Sequence, residues 1–189
     1  MGGGDWPVLS VSEARKRLCE PGSLIEFEVR EINGAPVRVW KNGPQTLPDL
    51  VRAADSHGER EFLVLDDERV SFRAFCKATA RLAEALRARG VVKGDRVAIA
   101  MRNLPEFPVV FFAAAAVGAI VVPLNAWWTE DELVYALKDS GARTLICDAE
   151  RWAVLANANL PVDVLVCREA DPVDADRLED VIGAPNDWA

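Results

Sequence analysis

The segment between residues 96 and 166 alternates short apolar runs with helical patterns, and this alternation constrains the fold more than any other feature. The apolar runs are continuous, which is typical of strands buried on both faces of a sheet. Strands joined by helices predict an α/β fold, with a mostly parallel sheet, helices on both faces and right-handed crossovers. We expect four buried strands, at residues 96–101, 120–123, 144–147 and 162–166.

Residues 1–45 precede this alternation and have a different character. Residues 12–18 can form a short helix, and two β-like runs, 24–31 and 36–41, flank Asn33-Gly34. Asn-Gly between two such runs is a strong short-range signal for a β-hairpin. We therefore expect an N-terminal arm made of a short helix and a β-hairpin.

Several helix-starting signals divide the rest of the chain. Thr46 is a candidate N-cap, and Ser71 caps the clearest helical pattern, which follows a second predicted hairpin at residues 61–72. Thr129 and Glu132 have the spacing of a capping box at the start of a later helix. These signals place the first α/β subdomain at residues 46–167.

The chain is acidic, and its acidity is concentrated near the end. It carries 30 acidic and 22 basic side chains, a net charge of −8, which argues against a general binder of nucleic acid or anionic membranes. From Glu150 onward there are nine acidic and three basic residues. Residues 168–189 also contain Pro172 and Pro185, so we expect an acidic linker or surface excursion there.

The four cysteines, Cys19, Cys76, Cys147 and Cys167, form no C-x-x-C pair, and His57 is the only histidine. This usage is typical of reduced thiols in a cytoplasmic protein and gives no metal-binding pattern. Residues 1–6 have neither the basic region nor the apolar core of a secretory signal.

The longest uncharged stretch, residues 107–129, is of borderline length for a membrane helix. Pro108, Gly118 and Pro123 interrupt it. A helix followed by a short strand fits it better than a transmembrane segment.

A parallel α/β sheet raises the question of a nucleotide site. After the first strand the sequence reads Arg102-Asn103-Leu104-Pro105-Glu106, without the glycines that let a backbone approach phosphates. The Walker phosphate loop, the nucleophile elbow and zinc motifs are also absent from the sequence. We therefore assign no catalytic, cofactor-binding or metal-binding residue.

Trp127-Trp128 is the most unusual pair in the sequence. Adjacent indoles usually point in different directions, so one can anchor the core while the other contacts a partner or ligand. Simple packing of both at the edge of the sheet is the alternative.

A series of short motifs in a fixed order resembles the N-terminal part of the adenylate-forming (AMP-binding) acyl-CoA synthetases. The arm segment 37–42 resembles the upstream part of bacterial fatty-acid members of that family. The resemblance extends over roughly residues 47–152, and the motifs lie at residues 70–86, 90–98, 103–106, 113–119, 122–125, 132–133 and 139–143.

The resemblance implies a function for a longer protein. The family's enzymes convert a carboxylate and ATP to an acyl-adenylate and then transfer the acyl group to CoA, with Mg as the metal. Their phosphate loop would be expected just beyond residue 189, so no functional residue of the family can be carried onto this chain. The resemblance therefore implies a non-catalytic N-terminal fragment of a fatty-acyl-CoA ligase, whose partner is the remainder of the same enzyme.

Two alternatives remain open at this stage. One is a stand-alone α/β interaction or dimerisation module without catalysis, and the other is a degenerate nucleotide binder. If the chain is a fragment, the face that normally packs on the missing part should be exposed and apolar, which favours homo-oligomers.

Overall fold

The computed structural model divides the chain into two compact units, residues 1–49 and 50–189. The predictions for residues 1–6 and for Leu24 lie outside the part that is described. The described residues are 9–23, 25–155, 157–170, 172 and 174–188.

The first unit contains a helix, α1 (Val11–Leu18), and two antiparallel strands, β1 (Phe27–Ile32) and β2 (Ala35–Trp40). Asn33 and Gly34 connect the strands, with φ angles of 52° and 79°. A two-residue turn with positive φ at both positions matches the right-handed twist of a hairpin, and Asn-Gly tolerates it best. The predicted hairpin is confirmed.

The second unit combines an antiparallel hairpin with a five-stranded parallel sheet. Helix α2 begins at Leu47, just before the first residue of this unit, and continues into it. In chain order the elements are α2 (Leu47–Asp55), β3 (Glu61–Leu65), β4 (Glu68–Ser71), α3 (Phe72–Ala88), β5 (Arg96–Ala100), α4 (Glu106–Ala116), β6 (Ile120–Pro123), α5 (Glu130–Ser140), β7 (Thr144–Asp148), α6 (Ala149–Val154), β8 (Asp163–Cys167), β9 (Asp176–Arg177), α7 (Glu179–Ile182) and a 3-10 turn (Pro185–Asp187).

The parallel sheet has the strand order β6-β5-β7-β8-β9 and separates two hydrophobic clusters. Successive residues of β5 alternate between them: Val97 and Ile99 pack with α3 and α4, whereas Ala98 and Ala100 pack with α5. This is the two-residue period of a strand that is covered on both sides. The predicted fold class, a parallel sheet with helices on both faces, is confirmed.

Strand β6 differs from its prediction as a buried strand. It lies at an edge of the sheet and pairs only with β5, and Ile120 keeps 54% of its surface exposed. Val121 and Val122 are only partly buried. A short apolar run indicates a strand, but it does not reveal whether the strand has one neighbour or two.

The acidic tail also differs from the expected linker. Strand β9 extends the parallel sheet beside β8, and the side chains of Leu178, Ile182 and Trp188 are buried. The indole Nε1 of Trp188 donates a hydrogen bond to the Gly183 carbonyl at 2.8 Å. These few apolar residues are scattered among acidic ones, so they form no periodic pattern, yet they complete the core beside α3.

The long uncharged stretch is divided between α4 and β6, with Gly118 at a φ of 82° between them. Within the described part of the chain, every helix is too short or too polar to cross a membrane.

Candidate functional site at the carboxyl edge of the sheet

The order in which strands are added to the sheet reverses at β5. The connection through α4 leads to β6 on one side of β5, and the connection through α5 then leads to β7 on the other side. In open α/β sheets, ligands bind outside the carboxyl ends of the strands at such a reversal. The loops that follow β5, β6 and β7 therefore form the candidate site.

Asp148, at the end of β7, joins two of these loops. Its Oδ2 accepts a hydrogen bond from the Arg102 backbone N–H at 2.9 Å, and its Oδ1 accepts from the Arg151 N–H at 2.9 Å. The Arg151 guanidinium pairs with the same carboxylate at 2.9 Å, and both side chains are more than nine-tenths buried. The carboxylate thus caps α6 and holds the loop after β5 in place.

Arg102 and Trp127 form the exposed part of the site. The Arg102 guanidinium carbon lies 3.8 Å from the centre of the Trp127 ring, a cation–π contact. Trp127 is 73% exposed, and its backbone N–H donates to Asn125 Oδ1 at 2.9 Å. Trp128 instead packs partly buried against the cluster on the α5 side. The two indoles therefore occupy different environments, and the surface beside Arg102 has the chemistry to hold a planar or anionic group.

The helices that begin at this edge carry the chain's own carboxylates at their N-termini. Glu106 begins α4, Glu132 accepts from the Thr129 N–H at the start of α5 at 2.8 Å, and Asp148 caps α6. A helix N-terminus attracts one negative group because of its free N–H groups and its dipole. Each of these three helices therefore begins with a negative side chain of the chain itself, and at α6 the Asp148 carboxylate accepts directly from the Arg151 N–H.

Two of these carboxyls are perturbed in opposite directions. Burial raises the pKa of Glu106 above its ordinary value, although hydrogen bonds from Arg168 oppose the increase. Hydrogen bonds from the backbone and hydroxyl of Thr129 lower the pKa of Glu132. Glu106 therefore protonates more readily than Glu132 as the pH falls.

Three further side chains, those of His57, Cys147 and Cys167, lie in structural positions. The ring of His57 packs against Phe72, with ring centres 4.7 Å apart. Cys147 and Cys167 are fully buried, and burial raises the pKa of both thiols, so they stay protonated and unreactive. In the described part of the chain, no group of three or more His, Cys, Asp or Glu side chains is arranged to hold a metal ion.

Three residues of this site, Arg102, Asp148 and Arg151, belong to no motif that predicts a functional site from the sequence. An Asp after a buried strand, followed three residues later by Arg at the start of a helix, is the local signal that could have indicated Asp148. Arg102 has a weaker signal, since only its position directly after the first parallel strand distinguishes it from other arginines.

Comparison with known proteins identifies related enzymes. The chain is 35% identical over 106 residues to long-chain-fatty-acid–CoA ligase FadD13 of Mycobacterium tuberculosis, covering 56% of this chain and 20% of the relative. It is also 35% identical over 97 residues to a 3-hydroxybenzoate–CoA/4-hydroxybenzoate–CoA ligase of Thauera aromatica, covering 51% and 18%. The chain thus spans about a fifth of the length of these curated relatives.

The fold has counterparts among solved structures. The anthranilate CoA ligase AuaEII, solved in complex with anthranoyl-AMP, superposes with a TM-score of 0.67 at 23% identity, over 71% of this chain and 27% of that one. At this identity the similarity shows the fold alone. Residues 50–188, which include the whole parallel sheet and the candidate site, match the AMP-binding enzyme family. The chain therefore belongs to the AMP-binding enzyme family.

Proposed function

We propose that this chain is the N-terminal part of an ATP-dependent acyl-CoA ligase, an acid–thiol ligase that forms an acyl-adenylate and then a CoA thioester. The observation that carries the proposal is the family match over residues 50–188, which covers the complete parallel sheet. The similarity to two CoA ligases supports the same reaction class. The partner of this part would be the rest of the same enzyme.

The described residues do not fit an ATP phosphate site. The first turns or N-caps of α4, α5 and α6 carry Glu106, Glu132 and Asp148, whose negative charges would oppose a phosphate there. We therefore assign ATP, Mg and CoA to the longer enzyme, and we propose that the 189-residue chain alone is inactive.

We further propose a fatty acid as the substrate and the cytoplasm as the location. The similarity to FadD13 supports the fatty-acid substrate, and the four free cysteines support the cytoplasmic location. We also propose the division into an arm (1–45) and a first α/β subdomain (46–167), with the acidic segment 168–189 packed as part of that subdomain's sheet and core.

Carboxylate-dependent release of pyrophosphate tests the proposal. The purified 189-residue chain should release none with ATP, CoA and dodecanoate. Antibodies against the chain should recover from source cells a longer polypeptide that forms dodecanoyl-CoA. Thioester formation with 3-hydroxybenzoate but not dodecanoate would reject the fatty-acid substrate and keep the reaction class. Robust turnover by the 189-residue chain would reject its inactivity.

A stand-alone interaction module is the second candidate. The exposure of three large side chains in the second unit, Ile120, Trp127 and Tyr135, favours it. An interaction module should form homo-oligomers at micromolar concentration, and the triple variant Ile120→Ser, Trp127→Ala and Tyr135→Ala should be a monomer in light scattering. Because a fragment with an exposed apolar face should also self-associate, the length of the polypeptide in source cells separates the two candidates: 189 residues for the module, and more for the ligase. A monomer at all concentrations, together with a longer polypeptide in cells, would reject the module.

A further inference from the structure

A groove lies between α1 and one face of the β1–β2 hairpin, entirely within the first unit. It consists of two adjoining cavities of about 290 and 660 Å³, which share Arg15, Cys19 and Phe27. We call it the hairpin groove. Its apolar lining comes from Val11, Cys19, Phe27, Val39 and Trp40. Its cations are Arg15, Lys16 and Arg38.

Hydrogen bonds hold the connection between α1 and the hairpin, and so maintain the groove. The two oxygens of the Glu26 carboxylate accept from the Gly22 N–H and from Lys41 Nζ, each at 2.7 Å. Asn42 Nδ2 donates to the Ser23 carbonyl at 3.1 Å. These contacts tie the turn before β1 to the residues after β2.

The three cations of the groove differ from the other cations of the first unit. Three other cations of this unit, Arg17, Arg30 and Lys41, each pair with a glutamate. Among the described residues, by contrast, the three groove cations form no ion pair. The Arg38 guanidinium lies over the Phe27 ring at 5.4 Å from its centre, where the charge adjoins the apolar lining.

Two aromatic side chains give the groove its exposed apolar surface. Among the described residues, Ser12 is the one hydroxyl of the lining, and its oxygen lies 3.0 Å from the hydroxyl of Ser10. Trp40 and Phe27 keep 54% and 38% of their surfaces exposed, so an apolar ligand would remove this area from water. An alkyl chain suits this apolar part of the lining, because it needs no hydrogen-bond partner.

We propose that the hairpin groove binds a single-chain amphiphile with an anionic head group, of the fatty-acid anion type. The alkyl chain lies against Phe27 and Trp40, which are paired across the two strands on one face of the hairpin, and the carboxylate pairs with Arg15, Lys16 and Arg38. This site lies outside the parallel sheet, and the inference does not depend on the proposed ligase reaction.

Calorimetry with monomeric dodecanoate, below its micelle concentration, tests the proposal on the 189-residue chain. The matched variants are Arg38→Gln and Arg30→Gln, because register places these two exposed arginines on opposite faces of the hairpin. We expect Arg38→Gln and Lys16→Gln each to weaken binding about tenfold, since each removes a charge-assisted contact. Arg30→Gln should leave it unchanged, and 1-dodecanol should bind more weakly than dodecanoate.

Absence of binding to the unmodified chain, or equal weakening by Arg38→Gln and Arg30→Gln, would overturn the proposal. So would binding to vesicles of anionic phospholipid without binding to monomeric dodecanoate.

Alkylation gives a second readout that needs no substitution. Dodecanoate should slow the reaction of iodoacetamide with Cys19, which lines the groove, and leave the rate at Cys76 unchanged. Equal slowing at both cysteines, or none at Cys19, would contradict the proposed position of the ligand.

Discussion

Arg168 and Glu106 form a two-bond ion pair between residues that are 62 positions apart in the sequence. Arg168 Nε and Nη2 donate to the two Glu106 oxygens at 3.0 Å each. Nη2 also donates to Glu68 at 2.8 Å. The guanidinium therefore joins the start of α4, the second hairpin and the end of β8. Glu106 is only 2% exposed, so its charged form depends strongly on the Arg168 guanidinium.

Arg168→Ala should destabilise the protein by about 3 kcal/mol at pH 7, because it leaves a buried carboxylate without its cation. The loss should be smaller at pH 5, where Glu106 can take up a proton and lose its charge. Urea unfolding at both pH values measures the difference. Arg81→Ala, on the exposed face of α3, is the control and should change the free energy of unfolding by less than about 0.5 kcal/mol. An equal loss at both pH values would contradict the role of the Glu106 charge.

The carboxyls of Glu106 and Glu132 should titrate on opposite sides of 4.5, their shared ordinary pKa. Because the folded-state pKa of Glu106 is raised, its contribution to stability is complete below 4.5 and is lost as the pH rises through that pKa. The pKa of Glu132 is lowered, so its contribution is present above 4.5 and is lost as the pH falls through its folded value. Carbon-13 NMR titration measures both pKa values, and the variants Glu106→Gln and Glu132→Gln assign the two signals. A lower pKa for Glu106 than for Glu132 would refute the prediction.

Gly141→Ala should cost more stability than Gly90→Ala. Both glycines have positive φ, 64° and 84°, so each alanine introduces strain of about 1 kcal/mol. A Cβ at residue 141 would also lie 2.8 Å from Arg96 Nη2, which donates to the Gly141 carbonyl. Losing that hydrogen bond should add about 1 kcal/mol. Thermal unfolding compares the two variants, and equal losses would show that Arg96 moves aside freely.

Trp188→Ala should destabilise the second unit by about 3–5 kcal/mol, because it removes a fully buried indole and leaves a cavity. Trp127→Ala is the matched control: it removes the same side chain from an exposed site and should cost less than about 1 kcal/mol. Urea unfolding monitored by circular dichroism gives both values. A small effect at Trp188 would mean that the tail does not contribute to the core.

The sequence by itself determined the fold class and the secondary structure up to β8. The Asn33-Gly34 turn, the Ser71 cap and the Thr129–Glu132 capping box are each formed by residues at most three apart, so their chemistry can be read along the chain. The continuous apolar strands likewise indicate burial on both faces.

Only the tertiary structure decided the position of β6 at the edge, the packing of the tail and the composition of the candidate site. Asp148 reaches the Arg102 backbone and Arg168 reaches Glu106 across 46 and 62 residues of sequence, respectively. Such pairs depend on strand order and on which helix covers which face, and no local pattern records either. Local hydrogen bonds and periodicity therefore specified the elements, whereas long-range burial and charge pairing specified which residues meet.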